Sequence, residues 1–258
     1  MKLTNKLMFI ACVIGAGFMT CGIENAQAQQ LDTEQYALIY NGPIADADST
    51  EAIVDVVKQV GLPVRYLSKI QDLPTMLINA KVFIVGGTQD DVAPLLNEFT
   101  KAESTALKAY LHNGGRYLGI CGGAFIASTG WSEDEGFVQA LGIVPAMSDD
   151  YDGDFAARIF PITWLGEARR MYYQAGPEFM PVQSPESVKI VAYFQDSNIA
   201  ALISSYGKGK VAVSGPHPEA PESWKDNAQD GERMESNIHL AVALLQELLS
   251  GQPVIDSQ

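Results

Sequence analysis

One cysteine set among glycines, with a histidine and a glutamate further along, is the combination in this chain that could do covalent chemistry. Arg116-Tyr-Leu-Gly119-Ile120-Cys121-Gly122-Gly123-Ala124-Phe125 reads as a strand entering, a cysteine at the turn and a helix leaving. That order is a nucleophile elbow with cysteine in the serine position. The turn is sharp, so the neighbours of the nucleophile must be small. A thiol at a helix N-terminus is biased toward thiolate by the helix dipole. The amide of Gly122 would then point to where a tetrahedral oxyanion forms. A second donor is expected from Gly86-Gly87, which end an earlier strand; plain turn chemistry explains the same two residues equally well.

A thiol nucleophile needs a base. The chain has three histidines. His112 falls at a helix end and reads as a polar cap, and His239 reads as a surface or structural residue of the last helix. His217 lies in Val213-Ser-Gly-Pro-His217-Pro-Glu219, directly after an apolar strand. A strand-end histidine suits the base, and Glu219 could hold its imidazole and stabilise the charged form. Pro216 and Pro218 stiffen the loop between them.

The elements that must position these residues alternate. Gln35 to Gly42, Pro63 to Leu67, Lys81 to Gly87 and Arg116 to Ile120 read as strands. Between them, a helix capped by Ser49-Thr50 runs to about Val60, and a helical pattern covers residues 90–112. Such alternation predicts an α/β fold with a mostly parallel sheet and helices on both faces. Residues 131–160 read as irregular and acidic. Val188 to Gln195 and Ile199 to Tyr206 read as a hairpin closed through Asp196-Ser197-Asn198, followed by a strand at Val211 to Gly215. A final helix is predicted from about Met234 to Leu249.

These pieces resemble a known family. Gly115-Arg-Tyr-Leu-Gly-Ile-Cys121-Gly-Gly-Ala-Phe125, Tyr173-Gln-Ala-Gly-Pro-Glu-Phe179 and Tyr206-Gly-Lys-Gly-Lys-Val211 leading into Ser214-Gly-Pro-His217-Pro-Glu219 look like the class I glutamine-amidotransferase-like superfamily. Within it they are most similar to the biotin-protein-ligase N-terminal domain family. The resemblance implies a flavodoxin-like three-layer sandwich and a Cys-His-Glu triad at Cys121, His217 and Glu219. Glutaminases of the superfamily usually carry Gln four residues after the nucleophile, where this chain has Phe125, so glutamine itself is not the expected substrate. Nor is biotin transfer expected, because no ligase catalytic portion follows the last helix. Phe125, Gly86 and Tyr173 are the expected substrate-pocket residues; Tyr173, like Tyr172 and Phe179, could instead belong to the core, where aromatics at such spacing more often lie.

Composition narrows the partners. The chain has 258 residues and a formal charge of −14. Such a surface repels phosphate backbones and anionic lipid, so nucleic acid is not an expected partner. Lys2 and Lys6, an apolar run from Leu7 to Met19, and Ala26-Gln-Ala28 follow the order of a secretory signal peptide. Cleavage after Ala28 would leave residues 29–258 as one exported domain, periplasmic or secreted, with no stable membrane insertion. Cys21 as a lipidated residue is the poorer alternative, since Thr20 stands where a small residue is wanted. The mature chain then keeps Cys121 as its one cysteine, with no partner for an internal disulfide. Asp149-Asp-Tyr-Asp152-Gly-Asp154 lacks the closing Glu of a calcium loop and reads as a solvated acidic loop. No zinc, haem or nucleotide motif is present, so neither metal nor cofactor is expected. The function expected is hydrolysis of an amide or related acyl bond in a small-molecule or peptide substrate. The alternative is a non-catalytic binding or scaffolding protein on the same fold. Nothing in the sequence specifies an oligomer.

Overall fold

The computed structural model describes residues 34–89, 91–134, 136–181, 187–229 and 233–254. The expected signal peptide, residues 1–28, lies outside them. In the first half, strands β1 (Tyr36–Tyr40), β2 (Val64–Leu67), β3 (Ala80–Val85) and β4 (Arg116–Ile120) alternate with helices. The helices are α1 (Ala47–Val60), α2 (Leu73–Met76), α3 (Ala93–Glu98) and α4 (Lys101–His112), and α5 (Gly122–Ala127) follows β4 directly. The second half is mostly strands: β5 (Gly130–Glu133), β6 (Gly136–Gln139), β7 (Ala146–Asp150), β8 (Arg158–Trp164), β9 (Glu167–Tyr173) and β10 (Pro177–Pro181). Then come β11 (Val188–Phe194), β12 (Ile199–Tyr206), β13 (Gly209–Ser214) and the last helix, α6 (Ile238–Leu249).

The sheet order is β2-β1-β3-β4-β13-β12-β11-β8-β9. Its first five strands are parallel neighbours, and the extension beyond β13 is antiparallel. β10 joins β12 to β7 at the side, and β5 and β6 form a separate hairpin. Every residue of β1 and β13 is buried, as expected of parallel strands covered on both faces. Alternation along each strand divides the core in two. Leu38, Phe83, Tyr117 and Val213 meet Leu73, Leu107 and Leu111 of α2 and α4. Ile39, Ile84, Leu118 and Ala212 meet Ile53 and Val57 of α1 and Leu245 of α6. The result is the parallel sheet with helices on both faces that the alternation predicts, and the three-layer flavodoxin-like sandwich that the resemblance implies.

Several boundaries differ from the sequence expectation. Helix α1 starts earlier than Ser49: Asp46 is its N-cap and accepts the Ser49 amide at 2.7 Å, which leaves the Ser49 hydroxyl for other work. The helical pattern over 90–112 is broken at Phe99, and Thr100 caps α4 by accepting from Ala102 N at 3.2 Å. Residues 131–160, expected to be irregular, contribute β5, β6 and β7. Within the acidic segment, Asp150 accepts the amides of Asp152 and Gly153, while Arg158 pairs with Asp152 and Asp154. Among the described residues no helix is long and apolar enough to cross a membrane.

Candidate active site

Strands β3, β4 and β13 are adjacent and parallel, so their C-terminal ends open on one crevice. Cys121 follows β4 at φ 52° and ψ −112°, a positive φ that is strained for a side-chain-bearing residue. Its own amide is held by Ser214 O at 2.9 Å, and its carbonyl takes the Ala124 amide at 2.9 Å. Glycines follow because there is no room for anything else. A Cβ on Gly123 would stand 2.0 Å from the carbonyl oxygen of Val85, and one on Gly122 would stand 2.1 Å from Thr88 Oγ1. Among the described residues the Gly122 amide has no hydrogen-bond partner.

The β13 loop brings in the base. His217 N–H donates to Tyr172 O at 2.9 Å, which fastens the loop to the end of β9. The ring Nδ1 lies 2.9 Å from Glu219 Oε1, and both side chains are buried. Tyr172 and Trp224 pack edge-on against the imidazole, with centroids 5.7 and 5.6 Å away. Burial disfavours the imidazolium, but the Glu219 carboxylate and a hydrogen bond with Cys121 outweigh it and hold the His217 pKa up at about 10. The Cys121 thiol also reaches Gln174 O at 3.5 Å. Gln174 belongs to the Tyr173–Phe179 segment, which crosses so close to β13 that a Cβ on Gly176 would sit 2.1 Å from Gly215 O.

Cys121, Gly122, Gly87, His217 and Phe125 all line one cleft of about 650 Å³. Two expected pocket residues do not. Gly86 lies behind the crevice, its carbonyl accepting from Gly123 N at 3.1 Å and its Cα facing Ile53 and Ser49. Tyr173 is in the core, with its hydroxyl on Gly176 O at 2.8 Å. Strand alternation gives the cleft to its neighbour Tyr172 instead. The Gly87 amide, expected to face an oxyanion, donates to Ser49 Oγ at 2.9 Å. His112 and His239 are both exposed, away from the site.

Ser49 is the residue that sequence reasoning missed. Buried in the first turn of α1, it takes the Gly87 amide and donates its hydroxyl to Glu219 Oε1 at 3.2 Å. It therefore holds the carboxylate through the same oxygen that meets His217. Only its hydroxyl, in a position that reads as a helix cap, hinted at this.

Solved structures share the fold. A glutamine amidotransferase is 16% identical, with 81% of this chain and 98% of that chain covered, at a TM-score of 0.55. A glutamine amidotransferase from Thermotoga maritima is 13% identical, with 84% and 99% covered, at 0.56. A putative GMP synthase protein from Thermoplasma acidophilum is 14% identical, with 82% and 95% covered, at 0.51. No curated protein shows a significant match. The architecture is thus amidotransferase-like, and the family described as "Biotin-protein ligase, N terminal" matches residues 35–136 and 155–248, most of the chain. The chain belongs to the biotin-protein ligase N-terminal family.

Proposed function

We propose that this protein is an exported thiol-dependent hydrolase acting on an amide or related acyl bond. The observation that carries the proposal is that His217, held by the buried Glu219 at 2.9 Å, lines the same cleft as the strained Cys121. Cys121 sulfur attacks the carbonyl carbon and the C–N electron pair goes to the leaving amine. His217, holding the thiol proton, delivers it to that amine. Water then attacks the thioester with His217 as base, releasing the acid and restoring the thiol. Glu219 keeps the imidazole oriented and its charged form stable. The Gly122 amide is the oxyanion donor, and Gly87 joins it only if Ser49 releases the Gly87 amide.

Export rests on the charged, apolar and small-residue order of residues 1–28. A second reading, a binding protein without turnover, is favoured by the engaged Gly87 amide, which leaves the oxyanion one donor short. Mass spectrometry after incubation with a p-nitrophenyl ester separates the two. The hydrolase gains an acyl group on Cys121 that decays in water and is absent from Cys121→Ala. An unlabelled Cys121 with intact fold would leave the binding protein.

A further inference from the structure

We propose that the cleft selects a cationic substrate, one carrying an ammonium or guanidinium group beside the bond presented to Cys121. The proposal deepens the hydrolase reading, since it takes Cys121 as the reacting centre. Among the described residues six carboxylates line the cleft: Asp46, Asp48, Asp91, Glu133, Asp149 and Asp150. No lysine or arginine is among the described residues that line it. The carboxylates are not neutralised by neighbours either. Asp46 accepts the Ser49 amide, Asp91 the Ala93 amide, and Glu133 the Trp131 indole N–H at 2.7 Å. Among the described residues none of the six pairs with a cationic side chain; the nearby Arg158 is spent on Asp152 and Asp154.

The shape and the remaining lining agree on the kind of cation. Among the described residues no three carboxylate, histidine or cysteine side chains converge as metal ligands, so the charge is spread for a diffuse organic cation. Trp131, Tyr172, Trp224 and the exposed Phe155 supply aromatic surface, which attracts ammonium and guanidinium groups. The volume, about 650 Å³, suits a small molecule or a few residues of peptide. The field reaches the chemistry: the Tyr172 phenol is pushed up to about 12 by burial, then by Asp46, Cys121 and Asp48. A free substrate carboxylate would be repelled by these six side chains, with the His217 imidazolium, already paired with Glu219, as the single cation facing it among the described lining residues, whereas a cation would be drawn in and concentrated.

The test uses methanethiosulfonates of opposite charge, trimethylammonioethyl and sulfonatoethyl, on the mature protein. In each, Cys121 thiolate displaces sulfinate and keeps the alkylthio group as a mixed disulfide. Rates are divided by those of N-acetylcysteine amide, which removes intrinsic reactivity. The cationic reagent should be preferred by about 10-fold or more at low salt. The preference should shrink toward unity in 1 M salt, where the Debye length is about 3 Å, and in Asp48→Asn with Glu133→Gln. Protection of Cys121 from neutral iodoacetamide by benzamidine, and not by benzoate, is the matching binding result. Equal normalised rates, or protection by benzoate, would overturn the proposal. Failure of the hydrolase reading looks different: slow alkylation by the neutral reagent, unaffected by His217→Ala, with the charge preference still present.

Discussion

Glu219→Gln keeps the shape of the buried carboxylate and removes its charge. In the folded protein Glu219 Oε1 serves both His217 Nδ1 at 2.9 Å and Ser49 Oγ at 3.2 Å, while Oε2 has no partner among the described residues. Breaking a buried pair by removing one partner costs roughly 3–5 kcal/mol. Two features lower the figure here: His217 can shed its proton, and the amide oxygen still accepts from Ser49. A loss of about 2–4 kcal/mol is expected, which for a domain of this size lowers Tm by about 5–12 °C. The sign of its pH dependence is fixed by His217, whose folded pKa is raised to about 10. Stability from a raised histidine is fully present below its unfolded value, about 6.5, and is lost as pH climbs through the folded value. The Tm gap between wild type and variant should therefore be widest near pH 6 and close toward pH 10. Above that, the unpaired buried carboxylate of the wild type even favours the variant. Differential scanning fluorimetry from pH 6 to 10 reads this directly. A gap that is constant across the range, or widest at alkaline pH, would refute the coupling between the two side chains.

Two further outcomes are expected. Ser49→Ala leaves the buried Gly87 amide without its acceptor, a cost of about 1–3 kcal/mol visible as a fall in Tm, and it slows Cys121 alkylation by loosening Glu219; an unchanged Tm and rate would remove Ser49 from the network. Protein should appear in the exported fraction of the expressing cells and begin at Gln29 by N-terminal sequencing, whereas protein confined to the cytoplasm with Met1 intact would contradict export.

The elbow was legible because its determinants are local. A short strand-like run between the Asn113-Gly-Gly stop and the Gly122-Gly123 pair marked β4 at Arg116–Ile120 and put Cys121 at its end. The His217 loop was legible for the same reason, as a proline-stiffened turn after an apolar strand. What depends on contacts distant in sequence was not. Ser49 meets Glu219 across 170 positions, so its hydroxyl looked like a cap. Tyr172 and Tyr173 are adjacent and chemically alike. Which one faces the cleft is decided by the register of β9 against β8, which periodicity alone does not supply. Strands β5 to β7 were hidden because they are short, polar and hydrogen-bonded to partners outside their own segment or across a tight hairpin. Helix α1 shows the same limit on a small scale: Asp46 and Ser49 are both good caps, and only the backbone geometry assigns the role to Asp46.

Cys121 and His217 acting as one activated pair should show itself in the rate of Cys121 alkylation by iodoacetamide against pH. An isolated cysteine is only about 3% thiolate at pH 7, so an imidazolium partner can raise reactivity there by up to ~30-fold. Fast alkylation at neutral pH is expected in the wild type and a loss approaching that factor in His217→Ala, with the two rates converging above about pH 9. Slow alkylation at neutral pH in both proteins, with superimposable pH profiles, would contradict it.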